Sequence, residues 1–247
     1  NFPISFTILD EEDQLKTIKD IGVSLGLKKS DPIIKRSIAY ISSKKLKELY
    51  PEDIKIQHET FEGEKECLEI YTLYEETKDK MYCLDFDDLL LKTNQILTNY
   101  PDIRKKWQNK IDHILIDEFQ DTNKVEYKLI KNLMRDTTCL YVVGDPDQNI
   151  YTWRGAKQDI IVNLHKEFPS LETVVLEENY RSSQSILDSA NKLIAYNKMR
   201  VPKNLFTNNG KGSAIETRCF DSGAIEADYV SREIKLSKEN KHYKYSD

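Results

Sequence analysis

The chain has 247 residues, 39% of them hydrophobic and 32% charged, with 8 glycines and a formal net charge of −5. That length suffices for one large domain or two smaller ones, and for a core that needs no disulfide or metal staple. High charge with little glycine disfavours an all-β protein, and the acidic balance argues against a dedicated duplex-binding module. The four cysteines, Cys67, Cys83, Cys139 and Cys219, are scattered and form no Cys-x-x-Cys. This usage predicts a reduced, cytoplasmic protein without a zinc site, with Cys139 buried at the head of an apolar run. No apolar run approaches the roughly 18 residues of a membrane span, so no membrane association is expected. The opening Asn1-Phe2-Pro3-Ile4 lacks a basic-then-apolar signal pattern.

The segment up to about residue 83 reads as helical and highly charged, with no strand pattern. Asp10 is placed to cap a helix through Leu15, Ile18 and Ile21, with Glu11, Glu12 and Asp13 in its first turn. Asp31-Pro32 opens a second helix, with Ile34, Ile38, Ile41 and Leu46 near helical spacing. Pro51 opens a third, expected to run through Tyr71 and Tyr74. Lys28, Lys29, Lys35, Arg36, Lys44, Lys45 and Lys47 are opposed in their stretch only by Asp31. They make either a basic face for phosphates or an ordinary solvated surface.

From Leu84 the pattern changes. Helices are expected from Asp85 to Thr98 and from Pro101, and then short apolar runs alternate with helices. His113–Asp117, Cys139–Val143, Thr173–Leu176 and, more weakly, Ala214–Phe220 read as strands. Helices are expected over Thr122–Met134, after Gly155, after Ser182-Ser183 and from Ala224, with a polar loop over Lys203–Ser213. Such strand–helix units with continuous apolar strands imply a parallel sheet covered on both faces.

Chemistry-bearing residues cluster where these strands end, the edge at which open α/β sheets bind ligands. Asp117-Glu118 closes the run Ile114-Leu115-Ile116. An Asp there suits Mg²⁺, and an adjacent Glu suits proton abstraction from an attacking water. An acidic loop capping the next helix, through Asp121 or Thr122, is the plain structural alternative. Gly144-Asp145-Pro146-Asp147 is turn chemistry, followed by the neutral amide Gln148 and by Tyr151, Trp153 and Arg154. Two aromatics and a guanidinium fit stacking on bases and contact with phosphates, or else serve as core anchors. Tyr180-Arg181 follows Leu176-Glu177-Glu178-Asn179. Arg181 fits a γ-phosphate contact or a pairing with Glu177 or Glu178. Ser182 or Ser183 is most simply an N-cap. Leu84-Asp85-Phe86-Asp87-Asp88-Leu89-Leu90, taken alone, is a structural helix start.

The four segments LDFDDLL, IDEFQDTN, VVGDPDQNIYTWRGA and LEENYRSS, in this order, resemble the UvrD/PcrA/Rep family of superfamily 1 DNA helicases. The resemblance is weakest over the first 80 or so residues. It implies an α/β fold: part of a RecA-like parallel sheet of P-loop NTPase type, an N-terminal helical insertion domain, and the start of a second RecA-like domain. The implied boundaries are 1–83 for the helical 1B-like insertion, 84–173 for the later part of RecA-like domain 1A, and 174–247 for the start of domain 2A. The implied activity is ATP-dependent 3′→5′ translocation and unwinding on single-stranded DNA and at single-strand/duplex junctions, in DNA repair or replication, with ATP and Mg²⁺ as cofactors.

Carried over by position, Asp117 resembles the Mg²⁺ ligand and Glu118 the general base. Gln148 resembles the γ-phosphate sensor, and Tyr151, Trp153 and Arg154 resemble contacts to single-stranded DNA. Tyr180 resembles the adenine-stacking residue and Arg181 the γ-phosphate arginine, both near the domain cleft. One departure is Asn149, where serine is more usual. Another is the family's phosphate loop, Gly-x-x-x-x-Gly-Lys-Ser/Thr, which does not occur here. Gly210-Lys211-Gly212-Ser213 fails the pattern at Leu205 and Gly212. The chain is therefore expected to be the middle of a larger enzyme, inactive as an ATPase by itself. Two other readings stand beside it: a DNA-binding or scaffold remnant without catalysis, and the motor subunit of a helicase–nuclease complex.

Overall fold

In a computed structural model, the described residues are 5–198, 200–241 and 244–245. The opening tetrapeptide read above for a signal pattern lies outside them. Two compact units emerge. One extends through Thr173 and takes in Arg200 and Val201; the other holds residues 174–198 and the chain from Pro202.

The first unit opens with a short strand, β1 (Thr7–Leu9), and helix α1 (Glu11–Ser24). Asp10 caps α1 by accepting the Asp13 N–H at 2.9 Å. Helix α2 (Pro32–Lys45) starts as read, with Pro32 in its first turn and Asp31 accepting from Ile33 N–H. The third helix runs through Tyr71 and Tyr74 as expected but does not start at Pro51. Pro51–Asp53 is a single 3₁₀ turn, and helix α3 (Glu64–Met81) begins only after Gly63, which turns the corner at φ +87°. Between Asp53 and Gly63 the apolar side chains are Ile54, Ile56 and Phe61, no two of them three or four residues apart, so there is no continuous helical stripe to bury. Strand β2 (Cys83–Asp85) then pairs parallel with β1, Thr7 opposite Cys83. The N-terminal region is therefore not strand-free. A three-residue strand whose partner lies far along the chain leaves no alternation to detect. Ile18, Ile34, Ile41, Cys67, Ile70, Tyr71 and Tyr74 form the core of this part.

The basic stretch over 28–47 divides. Lys28, Lys29, Lys35, Arg36 and Lys47 are exposed. Lys44 lies over the Tyr40 ring and pairs with Glu64. Lys45 points inward and is fully buried. Its Nζ lies 2.6 Å from Asp85 Oδ2, 2.8 Å from Asp88 Oδ1 and 3.1 Å from Glu75 Oε1. Lys78 closes the cluster on the same three carboxylates, and Tyr74 donates its hydroxyl to Asp85. Lys45 therefore belongs to no phosphate-facing surface.

Asp85 and Asp88 also cap helix α4 (Phe86–Asn99) reciprocally, so LDFDDLL is the helix start its acids imply. Helix α5 (Pro101–Gln108) follows. Strand β3 (His113–Ile116), helix α6 (Lys124–Leu133) and strand β4 (Cys139–Val142) form a parallel crossover, with His113 opposite Cys139 and Ile116 opposite Val142. Helices α7 (Gln158–Val162) and α8 (Leu164–Glu167) complete the unit. Among the described residues, coverage of the β3–β4 pair on both faces is not observed. Ile116 and Val142 pack with Phe119, Tyr127, Ile130, Ile161 and Leu164, whereas Leu115 is 73% exposed and Tyr141 61%. Cys139 lies at the exposed start of β4 rather than in the core.

In the second unit, helices α9 (Gln184–Ile194) and α10 (Gly223–Lys241) sit where expected. The strands expected at Thr173–Leu176 and Ala214–Phe220 do not form. Apolar content alone does not make a strand. Among the described residues neither run has a ladder partner, and a single bridge, Glu178 to Phe206, is all that pairs there. The result is an α/β protein with two small parallel sheets and ten α-helices among the described residues.

Candidate functional site

Because β3 and β4 are parallel, the segments that leave them emerge at one edge of the sheet. Val143 N–H donates to Ile116 O at 2.8 Å, extending the ladder by one bond. Phe119 N–H then donates to Val143 O at 2.9 Å and turns the first segment across the second. Between these bonds sit Asp117 and Glu118, both exposed. Asp117 Oδ1 accepts the Glu118 N–H at 2.9 Å. The Glu118 backbone is left-handed, with φ +49° and ψ +41°, a conformation unusual for a non-glycine residue. The fully buried Phe119 ring anchors the turn.

Gln120 follows, buried at 2% exposure. Its Nε2 donates to Glu118 Oε2 at 2.7 Å, and its Oε1 accepts the Asp145 N–H at 3.0 Å. Burial, and then the neighbouring Glu118 charge, raise the Asp121 carboxyl above its ordinary range. Asp121 Oδ1 is buried without a hydrogen-bond partner among the described residues. Neither Asp121 nor Thr122 caps α6. Asn123 does, accepting from Val125 and Glu126 N–H, with Glu126 answering in a capping box. The acidic run therefore does not cap α6.

From β4, Gly144 passes close to the first segment. A Cβ there would lie 2.6 Å from Gln120 Oε1 and 3.1 Å from Phe119 N, so a larger residue would have to push the Gln120 amide aside. Asp145 braces the next turn, accepting from Asp147 N–H at 3.0 Å and from Gln148 Nε2 at 2.8 Å. Asn149 Nδ2 donates to Gln120 O at 2.6 Å. Asp147 pairs with Arg200 at 3.2 Å. The segment then runs through Tyr151, Trp153 and Arg154 and returns to the first: Lys157 N–H donates to Thr122 O, and Ala156 bridges Asn123.

Tyr151 and Trp153 are not core anchors. Trp153 is 71% exposed, its ring centroid is 6.2 Å from that of Tyr151, and the planes are tilted by 58°. The Arg154 guanidinium lies over both rings, 5.4 Å from Tyr151 and 4.8 Å from Trp153. Gly155, at φ +84°, ends this turn against the Leu46 side chain. An exposed pair of rings with a cation over them has the chemistry to stack on flat, negatively charged ligands.

In the second unit, Tyr180 is exposed and donates its hydroxyl to Glu178 Oε2 at 2.9 Å, which raises its phenol above the ordinary value. Asn179 organises the turn, accepting from Arg181 and Ser182 N–H. Ser183 holds the N-cap position of α9 without a side-chain capping bond. Glu177 is taken by Asn204 N–H and Glu178 by Tyr180 and Asn208. Among the described residues the Arg181 guanidinium makes no ion pair, so the alternative of a pairing with Glu177 or Glu178 is not realised.

The structure thus brings Asp117, Glu118 and the segment bearing Gln148, Tyr151, Trp153 and Arg154 to one edge in the first unit. Tyr180 and Arg181 are presented in the second. Sequence reasoning passed over Gln120, although it stands within IDEFQDTN, and nothing marked Arg200 or the inward turn of Lys45. Oxygen donors are the right chemistry for Mg²⁺, and Asp117 retains a carboxylate oxygen outside its backbone bond. The one grouping of three carboxylates in ligating proximity among the described residues is Glu75, Asp85 and Asp88, and Lys45 and Lys78 already pair with it.

Comparison with known proteins adds the family. Residues 1–169 match the UvrD/REP helicase N-terminal domain, and residues 174–247 match the UvrD-like helicase C-terminal domain. The chain is 41% identical over 243 residues to a probable DNA helicase II homolog of Mycoplasma capricolum, covering 97% of this chain and 34% of that protein. It is 37% identical over 244 residues to the ATP-dependent DNA helicase PcrA of Leuconostoc citreum, covering 98% and 32%. With DNA helicase II of Escherichia coli it shares 37% over 240 residues, covering 97% and 33%. The chain spans about a third of the length of these relatives. With both profiles matched in chain order, and with the acidic strand end and the aromatic–arginine platform in place, the chain belongs to the UvrD/REP helicase family.

Proposed function

We propose that the full-length protein carrying this segment is an ATP-dependent 3′→5′ DNA helicase and translocase, acting on single-stranded DNA and single-strand/duplex junctions in repair or replication. The polarity and the pathway follow from the family resemblance. The observation that carries the reading is the shared strand edge: a carboxylate pair leaves β3, and an exposed aromatic–arginine platform follows β4. In this reading β3 and β4 belong to a RecA-like domain, residues 1–83 form a helical 1B-like insertion, and residues 174–247 begin a second RecA-like domain.

Each residue then has a defined task. Asp117 holds Mg²⁺, which when bound neutralises charge on the β- and γ-phosphates. Glu118 accepts a proton from the attacking water. Gln148 senses the γ-phosphate through its carboxamide. Arg181 stabilises charge that builds up as the γ-phosphoryl group departs, and Tyr180 stacks on adenine. Tyr151, Trp153 and Arg154 stack on bases and meet the backbone phosphates of a single strand. The 247 residues contain no Gly-x-x-x-x-Gly-Lys-Ser/Thr cradle for phosphates, so the isolated segment turns over little or no ATP.

The test is Glu118→Gln in the full-length enzyme. ATP binding is retained while turnover falls by about 10²–10⁴, the range for loss of a general base. Normal turnover in this variant would falsify the assignment.

A further inference from the structure

Gln120 is a two-ended clamp. One end of its side chain faces a donor that cannot accept, the Asp145 N–H at 3.0 Å, and the other faces an acceptor that cannot donate, Glu118 Oε2 at 2.7 Å. Only one orientation of the amide satisfies both, with Oε1 toward Asp145 and Nε2 toward Glu118. The flipped amide would set donor against donor and acceptor against acceptor. Gln120 itself is only 2% exposed, so its amide depends on these two protein partners.

Two further features lock the clamp to the second segment. Gly144 lets that segment approach, since a Cβ would lie 2.6 Å from Gln120 Oε1. Asn149 donates to the Gln120 carbonyl at 2.6 Å. Asn149 stands two residues before Tyr151, where the aromatic–arginine platform begins. The platform segment is therefore tied at two points to the residue that holds the Glu118 carboxylate.

We propose that Gln120 is a positioning residue. It fixes the Glu118 carboxylate and couples it to the Tyr151–Arg154 platform, so that ATP cleavage responds to whether a single strand occupies the platform. This rests on the reading of Glu118 as the base.

The experiment uses the full-length enzyme, with ATP turnover measured with and without a saturating oligothymidylate. Gln120→Glu is nearly isosteric. It keeps the acceptor for Asp145 N–H and loses the donor to Glu118. Gln120→Ala loses both. Each variant is expected to lower kcat in the presence of the oligonucleotide by about tenfold or more, with KM for ATP changed by less than about threefold. Each is also expected to shrink the ratio of turnover with DNA to turnover without it. A merely structural role would not separate kcat from KM or alter that ratio. Should Gln120→Ala unfold, Gln120→Glu alone decides. Unchanged kcat and stimulation in a folded Gln120→Glu enzyme overturn the proposal. Glu118→Gln, assayed in parallel, keeps the two claims apart. If it is inactive while Gln120→Glu is normal, only the coupling falls. If it turns over normally, the base assignment itself falls.

Discussion

Lys45→Met tests what holds the helical N-terminal part to α4. The Lys45 ammonium is fully buried and lies 2.6–3.1 Å from Asp85, Asp88 and Glu75. Methionine fills nearly the same volume, so packing changes little while one of two cations is removed from three carboxylates. Breaking a buried pair by deleting one partner costs about 3–5 kcal/mol, because the surviving charges stay desolvated. The pH dependence identifies the cause. Burial by itself pushes the Asp85 carboxyl up, but Lys45 and Lys78 more than offset this and hold it at about 2. Its folded pKa is thus below its unfolded value of about 3.9. The stability this contributes is present above the unfolded pKa, amounts to about 2–3 kcal/mol, and is lost as pH falls from roughly 5 toward 2. In Lys45→Met the largest influence lowering the Asp85 pKa is gone and burial favours its proton uptake, so the deficit against wild type narrows on acidification. The assay is urea denaturation followed by far-ultraviolet circular dichroism, at about pH 7 and about pH 5. A loss below about 1 kcal/mol, or a loss identical at the two pH values, would refute the argument that charge pairing organises this region.

Two further substitutions probe the ligand-facing residues in the full-length protein. Trp153→Ala removes most of an exposed stacking surface, so affinity for a single-stranded oligonucleotide should drop roughly 5–150-fold, equivalent to about 1–3 kcal/mol per stacked base. Fluorescence anisotropy at fixed salt reads this, and an unchanged Kd removes Trp153 from the DNA contact surface. Arg181→Ala should lower kcat for ATP far more than it weakens binding of a non-hydrolysable ATP analogue. An effect confined to binding would mean that Arg181 meets the nucleotide equally in ground and transition states.

Several local capping signals in the sequence read out faithfully, although Pro51 starts only a 3₁₀ turn and Ser183 makes no side-chain cap. Asp10, Asp31 and the reciprocal Asp85/Asp88 pair each cap the helix they precede, since capping depends only on residues within one turn. The apolar runs at Ile114 and Leu140 became the β3–β4 pair, and the polar residues behind them emerged at one edge. What the sequence concealed depended on distant partners. β1 exists only because β2 lies beside it. Lys45 reads as one more surface lysine until α3 and α4 bring three carboxylates around it. Thr173–Leu176 is as apolar as a strand, yet strand formation requires a neighbour and not merely composition. In the site, the acids and aromatics were legible because their chemistry is conspicuous. Gln120 was not, because an amide acquires meaning only from what it touches at each end.

The left-handed backbone at Glu118 sets stability against chemistry at a single residue. Holding a non-glycine residue at φ +49° costs on the order of 1–2 kcal/mol. Glycine would remove that strain and discard the carboxylate, whereas a β-branched side chain would deepen it. Selection for heat resistance and selection for turnover would therefore pull this position toward different amino acids. Variants isolated for thermal tolerance alone would be prone to lose the acid first.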